Sequence, residues 1–123
     1  IGVIPYSPLY RGLLTGKYAR DHVFGEQRGK FGFFVQPAFT RILDGLDELR
    51  PIAEDLGLNL AQLAIRWLLT HPAVTSAIVG IKTPGMIENI APAADAELPA
   101  PLWHKVAGIM KKAREDAQGT QGA

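Results

Sequence analysis

The sequence contains no cysteine, no long apolar run and no marked excess of either charge. The lack of cysteine excludes disulfides and cysteine-ligated metal sites, and it fits a cytoplasmic location. No segment is long and apolar enough to span a bilayer, and no signal-peptide pattern is present. With 13 basic and 12 acidic residues, the charge gives no reason to expect nucleic acid or a membrane surface as a partner.

Histidines and paired carboxylates form no pattern that is typical of a catalytic or metal site. His22, His71 and His104 are scattered without the spacing of metal ligands. Glu54 and Asp55 are adjacent on a predicted helix, where neighbouring side chains point in different directions. No nucleophile and base can be paired from the sequence. We therefore expect no metal site and no catalytic residue in this chain.

The composition and the order of apolar segments predict an α/β fold. A hydrophobic fraction of 47% and a charged fraction of 20% are typical of a globular protein. Two short apolar runs, 1–4 and 77–81, have the uniform hydrophobicity of strands that are covered on both faces. Helical periodicity follows each run, so the two strands should be parallel neighbours.

The first two helices are predicted from an apolar stripe and from their end signals. Apolar residues spaced by fours and threes predict a helix over 41–56, in which Pro51 indicates a kink or a start. Gly57 is placed to end this helix in the left-handed conformation. Asn59 can cap the next helix, 60–70, which is apolar nearly all round.

Two further helices are predicted from proline at their starts. Pro84 should open a helix over 84–94, and Pro99 one that runs to about Ala117. Residues 118–123 should fray. Trp67 and Trp103 are interpreted as packing residues, not as ligand platforms.

The segment after the first apolar run combines the residue types that bind phosphate. Glycines let a backbone approach an anion closely, hydroxyls donate to it and a lysine supplies charge. An ordinary Gly/Pro turn after a strand has the same composition, and spacing alone leaves both interpretations open. The residues concerned are Ser7, Gly12, Thr15, Gly16 and Lys17.

Three motifs in this order resemble the aldo-keto reductases. They are similar to the end of that family's seventh barrel strand, its seventh helical segment, and its eighth strand with the following loop. The motifs are Tyr6-Ser7-Pro8-Leu9 with Gly12 and Leu14-Thr15-Gly16-Lys17, then 53–57 with 61–67, then 76–84.

The resemblance implies a fold that is more specific than α/β. The chain would be the C-terminal fragment of a (β/α)8 TIM barrel, with two parallel strands and covering helices. A complete barrel takes about 250 residues, so 1–123 would form one incomplete, cofactor-binding domain. A trimmed piece, a proteolytic piece or an incomplete reading frame would each explain a start inside a strand. The missing barrel half, or further copies of the chain, would be its protein partner.

The activity implied by the resemblance is NADPH-dependent reduction of aldehydes and ketones to alcohols. The family's catalytic Asp, Tyr, Lys and His lie on earlier strands, and no residue here matches them. The chain alone is therefore expected to be inactive, with a small carbonyl compound as the substrate of the intact enzyme. Two alternatives stay open: a non-catalytic, cofactor-sensing subunit of the same fold, and an inert fragment that self-associates.

The resemblance assigns the first cofactor contacts to the loop after the first strand. Tyr6 matches the aromatic residue that stacks on the nicotinamide ring. Lys17 matches a lysine that contacts the cofactor phosphates. Four further residues match family positions that line the pyrophosphate, several of them through backbone groups. They are Ser7, Leu9, Gly12 and Leu14.

The adenosine contacts would follow the second strand. Gly80 ends that strand before a helix N-terminus, which is an arrangement that favours anions. Lys82 lies where the family often places a group for the adenosine 2′-phosphate, and Thr83 can add a hydroxyl contact.

The family's adenine-recognising Glu-Asn pair can be aligned in two ways. Glu88-Asn89 resembles the pair directly, which leaves Gly85 at the position of the family's Arg or Gln. Another family pattern places Asn89 at the Glu, Ile90 at the Asn and Met86 at the Arg or Gln. The Arg or Gln is missing in both alignments.

Residues 18–40 are expected to be a mobile loop without regular structure. In the resembling family, the matching loop helps to wall the substrate site. The alternative is that its aromatic residues pack the loop onto the barrel. These residues are Phe31, Phe33, Phe34 and Phe39.

Overall fold

The computed structural model describes residues 2–4, 13–15, 17–22, 34–81 and 83–121. Four α-helices dominate this part of the chain, and two short 3₁₀ turns accompany them. The helices are α1 (Ala38–Asp55), α2 (Leu60–Thr70), α3 (Pro84–Ile90) and α4 (Ala100–Gln121), and the 3₁₀ turns span Leu13–Thr15 and Ala91–Ala94.

The hydrophobic core lies between α1, α2 and α4. Its most deeply buried large side chains are Phe39 and Leu46 of α1 and Leu63 of α2. Helices α1 and α4 approach closely at Gly45, where an added Cβ would lie 2.6 Å from the Cβ of Ala113. A glycine is needed there because a methyl group would overlap the facing helix.

Helix α1 is longer than the periodicity predicted. It begins at Ala38 instead of residue 41, so 38–40 do not belong to the predicted loop. It also runs through Pro51, which is therefore not a helix start. Proline removes one backbone hydrogen bond from a helix, but Ile52 and Ala53 just beyond it are buried in the core. Burial of the continuing apolar stripe outweighs that local cost.

The end of α1 has the geometry that its sequence predicts. Gly57 has a φ of 70°, its N–H donates to Glu54 O at 3.0 Å, and the N–H of Leu58 donates to Ala53 O at 2.9 Å. This pair of bonds is the Schellman motif, in which the left-handed residue is usually glycine.

Replacing Gly57 with alanine should lower the free energy of unfolding by about 1 kcal/mol. A Cβ at this position would meet no atom within 4 Å, so the cost comes only from the left-handed backbone. Urea titration measures it, and Gly57→Asn is the control because asparagine tolerates this conformation. Equal losses for the two variants would show that backbone strain is not the cause.

The prediction of two extended strands is wrong for the described residues. They contain isolated bridge residues instead. Val3 pairs in parallel with Val74, with N···O distances of 2.8 and 2.9 Å, and Ile78 is also a bridge residue. The parallel direction is confirmed for the pair Val3 and Val74, and pairing within 77–81 is limited to the bridge residue Ile78. A pair of strands without further neighbours is marginal in water, and Ile4 and Ile78 are each 57% exposed.

The last two helices have different bounds from those that the sequence predicts. The segment 84–94 divides into α3 and the 3₁₀ turn Ala91–Ala94, where Pro92 falls in the first turn. Helix α4 begins at Ala100 and reaches Gln121, so 118–121 do not fray as expected. Ala117 is fully buried, and this contact explains why the helix continues past it.

The loop expected over 18–40 is attached to α1 at both of its described ends. Phe34 and Phe39 are buried in the core, which favours packing over a substrate-facing role for these two rings. The side chain of Gln36 donates to Arg20 O at 3.0 Å and thereby joins the two ends. Phe31 and Phe33 lie outside the described residues.

Candidate functional site

The candidate cofactor residues fall only partly within the described chain. Tyr6, Ser7, Leu9, Gly12 and Lys82 lie outside it, so their roles stay predictions. The described candidates form two groups. The first group is Leu14 and Lys17, and the second is Gly80, Thr83, Met86, Glu88 and Asn89.

The first group presents one charged side chain. Leu14 is half-buried and lines an apolar cavity of about 280 Å³ between α1, α2 and α4. A cofactor contact from Leu14 would therefore come from its backbone. Lys17 is exposed, and its Nζ lies 5.1 Å from the ring centroid of Tyr18, a cation–π distance. The cavity itself is walled by aliphatic and indole groups, so it offers nothing to orient a phosphate.

Arg20 attaches the segment after Lys17 to α1. Its guanidinium contacts Asp44 at 2.7 Å and Asp47 through its second nitrogen. The hydrogen bond from Arg20 lowers the pKa of the Asp47 carboxyl. The hydrogen bonds that Arg20 donates to Asp44 and Asp47 raise the pKa of its own guanidinium. This attachment therefore contributes to stability above the carboxyl's ordinary pKa and is lost as the pH falls through the lowered value.

Thr83 is the N-cap of α3. Its Oγ1 accepts from the N–H of Met86 at 3.3 Å, and its backbone is extended. A hydroxyl that accepts a hydrogen bond keeps its own O–H as a donor. Thr83 can therefore hold the start of α3 and still donate to an anionic ligand. Both Thr83 and Met86 are exposed.

Asn89, near the end of α3, is held by the first turn of α2. The Nδ2 of Asn59 donates to Asn89 Oδ1 at 2.7 Å, and the Nε2 of Gln62 donates to the backbone oxygen of Asn89. Asn59 and Gln62 also form the capping box of α2. The same two side chains therefore start α2 and fix the candidate adenine-binding helix upon it.

Arg66, one turn further along α2, holds the segment after α3. Its Nη1 donates to Ala94 O at 2.8 Å and to Ala93 O at 3.3 Å, and its Nε donates to Thr70 Oγ1 at 3.2 Å. These carbonyls end the 3₁₀ turn and have no helical partner beyond it. A half-buried guanidinium thus satisfies them.

Sequence reasoning identified only part of this arrangement. It predicted Asn59 as a helix cap and treated Gln62 and Arg66 as polar exceptions on an apolar helix. The available signal was their spacing, because residues three and seven apart lie on one face of a helix. Three polar side chains on one face of a packed helix indicate a polar partner for that face.

Trp67 and Trp103 pack as the sequence predicted and also join α2 to α4. Their rings stack at 5.0 Å between centroids with 6° between planes. Each indole N–H donates to the other residue's backbone oxygen, at 3.1 Å from Trp67 and 2.9 Å from Trp103. The pair therefore has a structural role in joining these two helices.

The described segments contain neither a cluster of metal-ligating side chains nor a helix that could span a membrane. No three His, Asp or Glu residues in them converge on a point where a metal ion would fit. Their helices are all too short or too polar to cross a bilayer.

The aldo/keto reductase family model matches residues 1–111. The chain belongs to this family. It has a TM-score of 0.82 to a glycerol dehydrogenase from Gluconobacter oxydans, at 28% identity over 92% of this chain and 35% of that one. The backbone therefore follows a TIM-barrel enzyme of the family, although its described residues contain no extended strand.

Two curated relatives differ in what their names describe. A probable voltage-gated potassium channel subunit beta from Oryza sativa subsp. japonica is 37% identical over 95 residues, which are 73% of this chain and 29% of the relative. An NADH-specific methylglyoxal reductase from Escherichia coli (strain K12) is 32% identical over 87 residues, 70% of this chain and 27% of the relative. The chain thus spans less than a third of either protein.

Proposed function

We propose that this chain forms the nicotinamide-cofactor-binding part of an aldo-keto reductase that reduces aldehydes or ketones to alcohols. The observation that carries the proposal is the family match over residues 1–111. The matched segment contains both groups of candidate cofactor residues. It contains no counterpart of the family's catalytic Asp, Tyr, Lys and His, so the groups that donate a proton to the carbonyl must come from elsewhere in a complete barrel.

The proposed cofactor is NADPH, and different residues of the chain bind its different parts. Tyr6 stacks on the nicotinamide, which supplies the hydride when the cofactor is bound. The pyrophosphate is bound by the loop of Ser7, Leu9, Gly12 and Leu14, with charge from Lys17. Lys82 and Thr83 bind the adenosine 2′-phosphate, the first by charge and the second through its hydroxyl. Gly80 lies just before them, at the end of the second apolar run, and Met86, Glu88 and Asn89 border the adenine.

Replacing Lys82 with alanine should weaken NADPH binding about tenfold to a hundredfold and leave NADH binding nearly unchanged. A charge-assisted contact to phosphate contributes roughly 1.5–3 kcal/mol, and only NADPH has the 2′-phosphate. Fluorescence titration of both cofactors against the full-length protein measures the two affinities.

Lys105→Ala is the matched control, because it removes one exposed lysine from α4 outside both candidate groups. It should change neither affinity. Equal losses for both cofactors in Lys82→Ala would remove Lys82 from the 2′-phosphate. An unsubstituted protein that prefers NADH, as the name of the Escherichia coli relative describes, would overturn the choice of NADPH. Binding of neither cofactor would overturn the proposed function itself.

A non-catalytic subunit is the second candidate function. It is favoured by one observation, the 37% identity to a protein named as a channel subunit beta. In this role the cofactor residues would be the same, but their occupancy would control an association with another protein. Steady carbonyl reduction by the full-length protein would support the enzyme. Cofactor binding without turnover of any carbonyl compound would favour the subunit.

A further inference from the structure

The orientation of the Asn89 carboxamide is determined by the capping box of α2. A carboxamide has one accepting oxygen and one donating nitrogen, and the two are told apart by their partners. The Oδ1 of Asn59 must be the atom that accepts from the N–H of Gln62, at 2.8 Å, because a backbone N–H can only donate. The Nδ2 of Asn59 is then the atom that faces Asn89, 2.7 Å away.

This arrangement leaves Asn89 with one free polar group of known character. Since Asn59 donates to it, the atom of Asn89 that faces Asn59 must be Oδ1, and Nδ2 is the carboxamide atom that faces elsewhere. Its Nδ2 has no hydrogen-bond partner among the described residues, and Asn89 is exposed. Its backbone oxygen accepts from Gln62. Asn89 therefore presents a donor to a ligand.

We infer that Asn59 is a positioning residue that makes Asn89 donate to a ring nitrogen of the cofactor's adenine. The inference rests on the proposed function. Adenine exposes N7 as an acceptor beside its N6 amino donor on one edge. A donating Asn89 fits N7, and the carboxylate of its neighbour Glu88, which can only accept, fits the N6 amino group.

The same orientation decides between the two alignments of the adenine-recognising pair. In one of them Asn89 takes the place of a glutamate, which can only accept hydrogen bonds when ionised. Since Oδ1 of Asn89 faces Asn59, the group that Asn89 offers to a ligand is the donating Nδ2, which does not match that role. The structure therefore favours the alignment in which Glu88-Asn89 is the pair.

The test compares two probes in the full-length protein by isothermal titration calorimetry. The probes are adenosine 2′,5′-bisphosphate and its 7-deaza analogue, which has a C–H in place of N7. The unsubstituted protein should bind the analogue about two- to tenfold more weakly, which corresponds to the loss of one neutral hydrogen bond.

Asn59→Asp separates orientation from helix capping. Aspartate and asparagine are equally good N-caps, so α2 keeps its start. The introduced carboxylate can only accept, so the Asn89 carboxamide must turn and face the ligand with Oδ1. An oxygen opposite the N7 lone pair is unfavourable, and the preference for the N7 probe should vanish or reverse. Gln62→Glu is the control: it keeps the capping box but loses the donor to the Asn89 backbone, so both affinities should fall together with an unchanged ratio.

A second measurement needs no ligand. In Asn59→Asp, hydrogen exchange of the Asn89 side-chain amide, followed by NMR, should slow at least severalfold because Nδ2 gains a partner. An unchanged probe ratio or an unchanged exchange rate in this variant would overturn the inference and leave the proposed function standing. Failure of the unsubstituted protein to bind either probe would overturn both.

Discussion

Replacing Trp103 with alanine is expected to lower the free energy of unfolding by about 2–4 kcal/mol. A fully buried tryptophan costs about 3–5 kcal/mol when truncated, and this one is half-buried. The truncation removes the stacked contact with Trp67. It also removes the N–H that donates to Trp67 O at 2.9 Å. Guanidinium titration monitored by far-ultraviolet circular dichroism measures the loss.

Phenylalanine variants at the two positions separate stacking from hydrogen bonding. Trp103→Phe keeps a stacked ring but leaves Trp67 O, in the last turn of α2, without its donor. The nearest candidate, the N–H of His71, donates to Leu68 O instead. Trp67→Phe removes a donor from Trp103 O, which lies inside α4 and keeps the helical bond expected there. Trp103→Phe should therefore cost more, by about 1 kcal/mol. Equal costs would contradict this account of the end of α2.

Replacing Gly45 with leucine is expected to lower the free energy of unfolding by about 3 kcal/mol, near the upper end for overpacked cores. The first added carbon would lie 2.6 Å from the Cβ of Ala113 and 3.7 Å from the sulfur of Met110. The methionine can move, but the alanine is fixed to the α4 backbone. Helices α1 and α4 would therefore have to separate along their whole contact.

Gly108→Leu is the matched control for this change. Gly108 also lies within a helix, α4, but an added Cβ would meet nothing within 4 Å. Leucine is a much better helix former than glycine, so this variant should gain about 0.8 kcal/mol. Urea titration compares the free energies of unfolding of the two variants. A stabilised Gly45→Leu variant would show that the α1–α4 contact is looser than the structure describes.

The sequence predicted the helices well because their signals are local. The bounds of α2 follow from the Asn59 cap and the proline after Thr70, and the end of α1 follows from Gly57. The strands were not predictable in the same way. Their formation depends on hydrogen bonds to other strands, and a pattern of apolar residues in 77–81 carries no information on whether such neighbours are present.

The candidate site was predictable in its location but not in its internal support. Motif resemblance placed Thr83 and Asn89 near the adenosine, and in the structure Thr83 is the N-cap of the short helix that contains Asn89. The hydrogen bonds from Asn59 and Gln62 join residues 27 and 30 positions apart in the chain. Such pairings arise from how helices pack, so composition and spacing could not predict them.

The start of α2 holds the segment 89–94 through the side chains of Asn59, Gln62 and Arg66, and this attachment has a kinetic consequence. The first turn of α2 cannot open without releasing Asn89, and the next turn cannot open without releasing Ala93 and Ala94. Residues 59–66 and 83–94 therefore form one cooperative opening unit. A nucleotide that stabilises α3 would slow amide exchange in α2 as well, although it touches no backbone there.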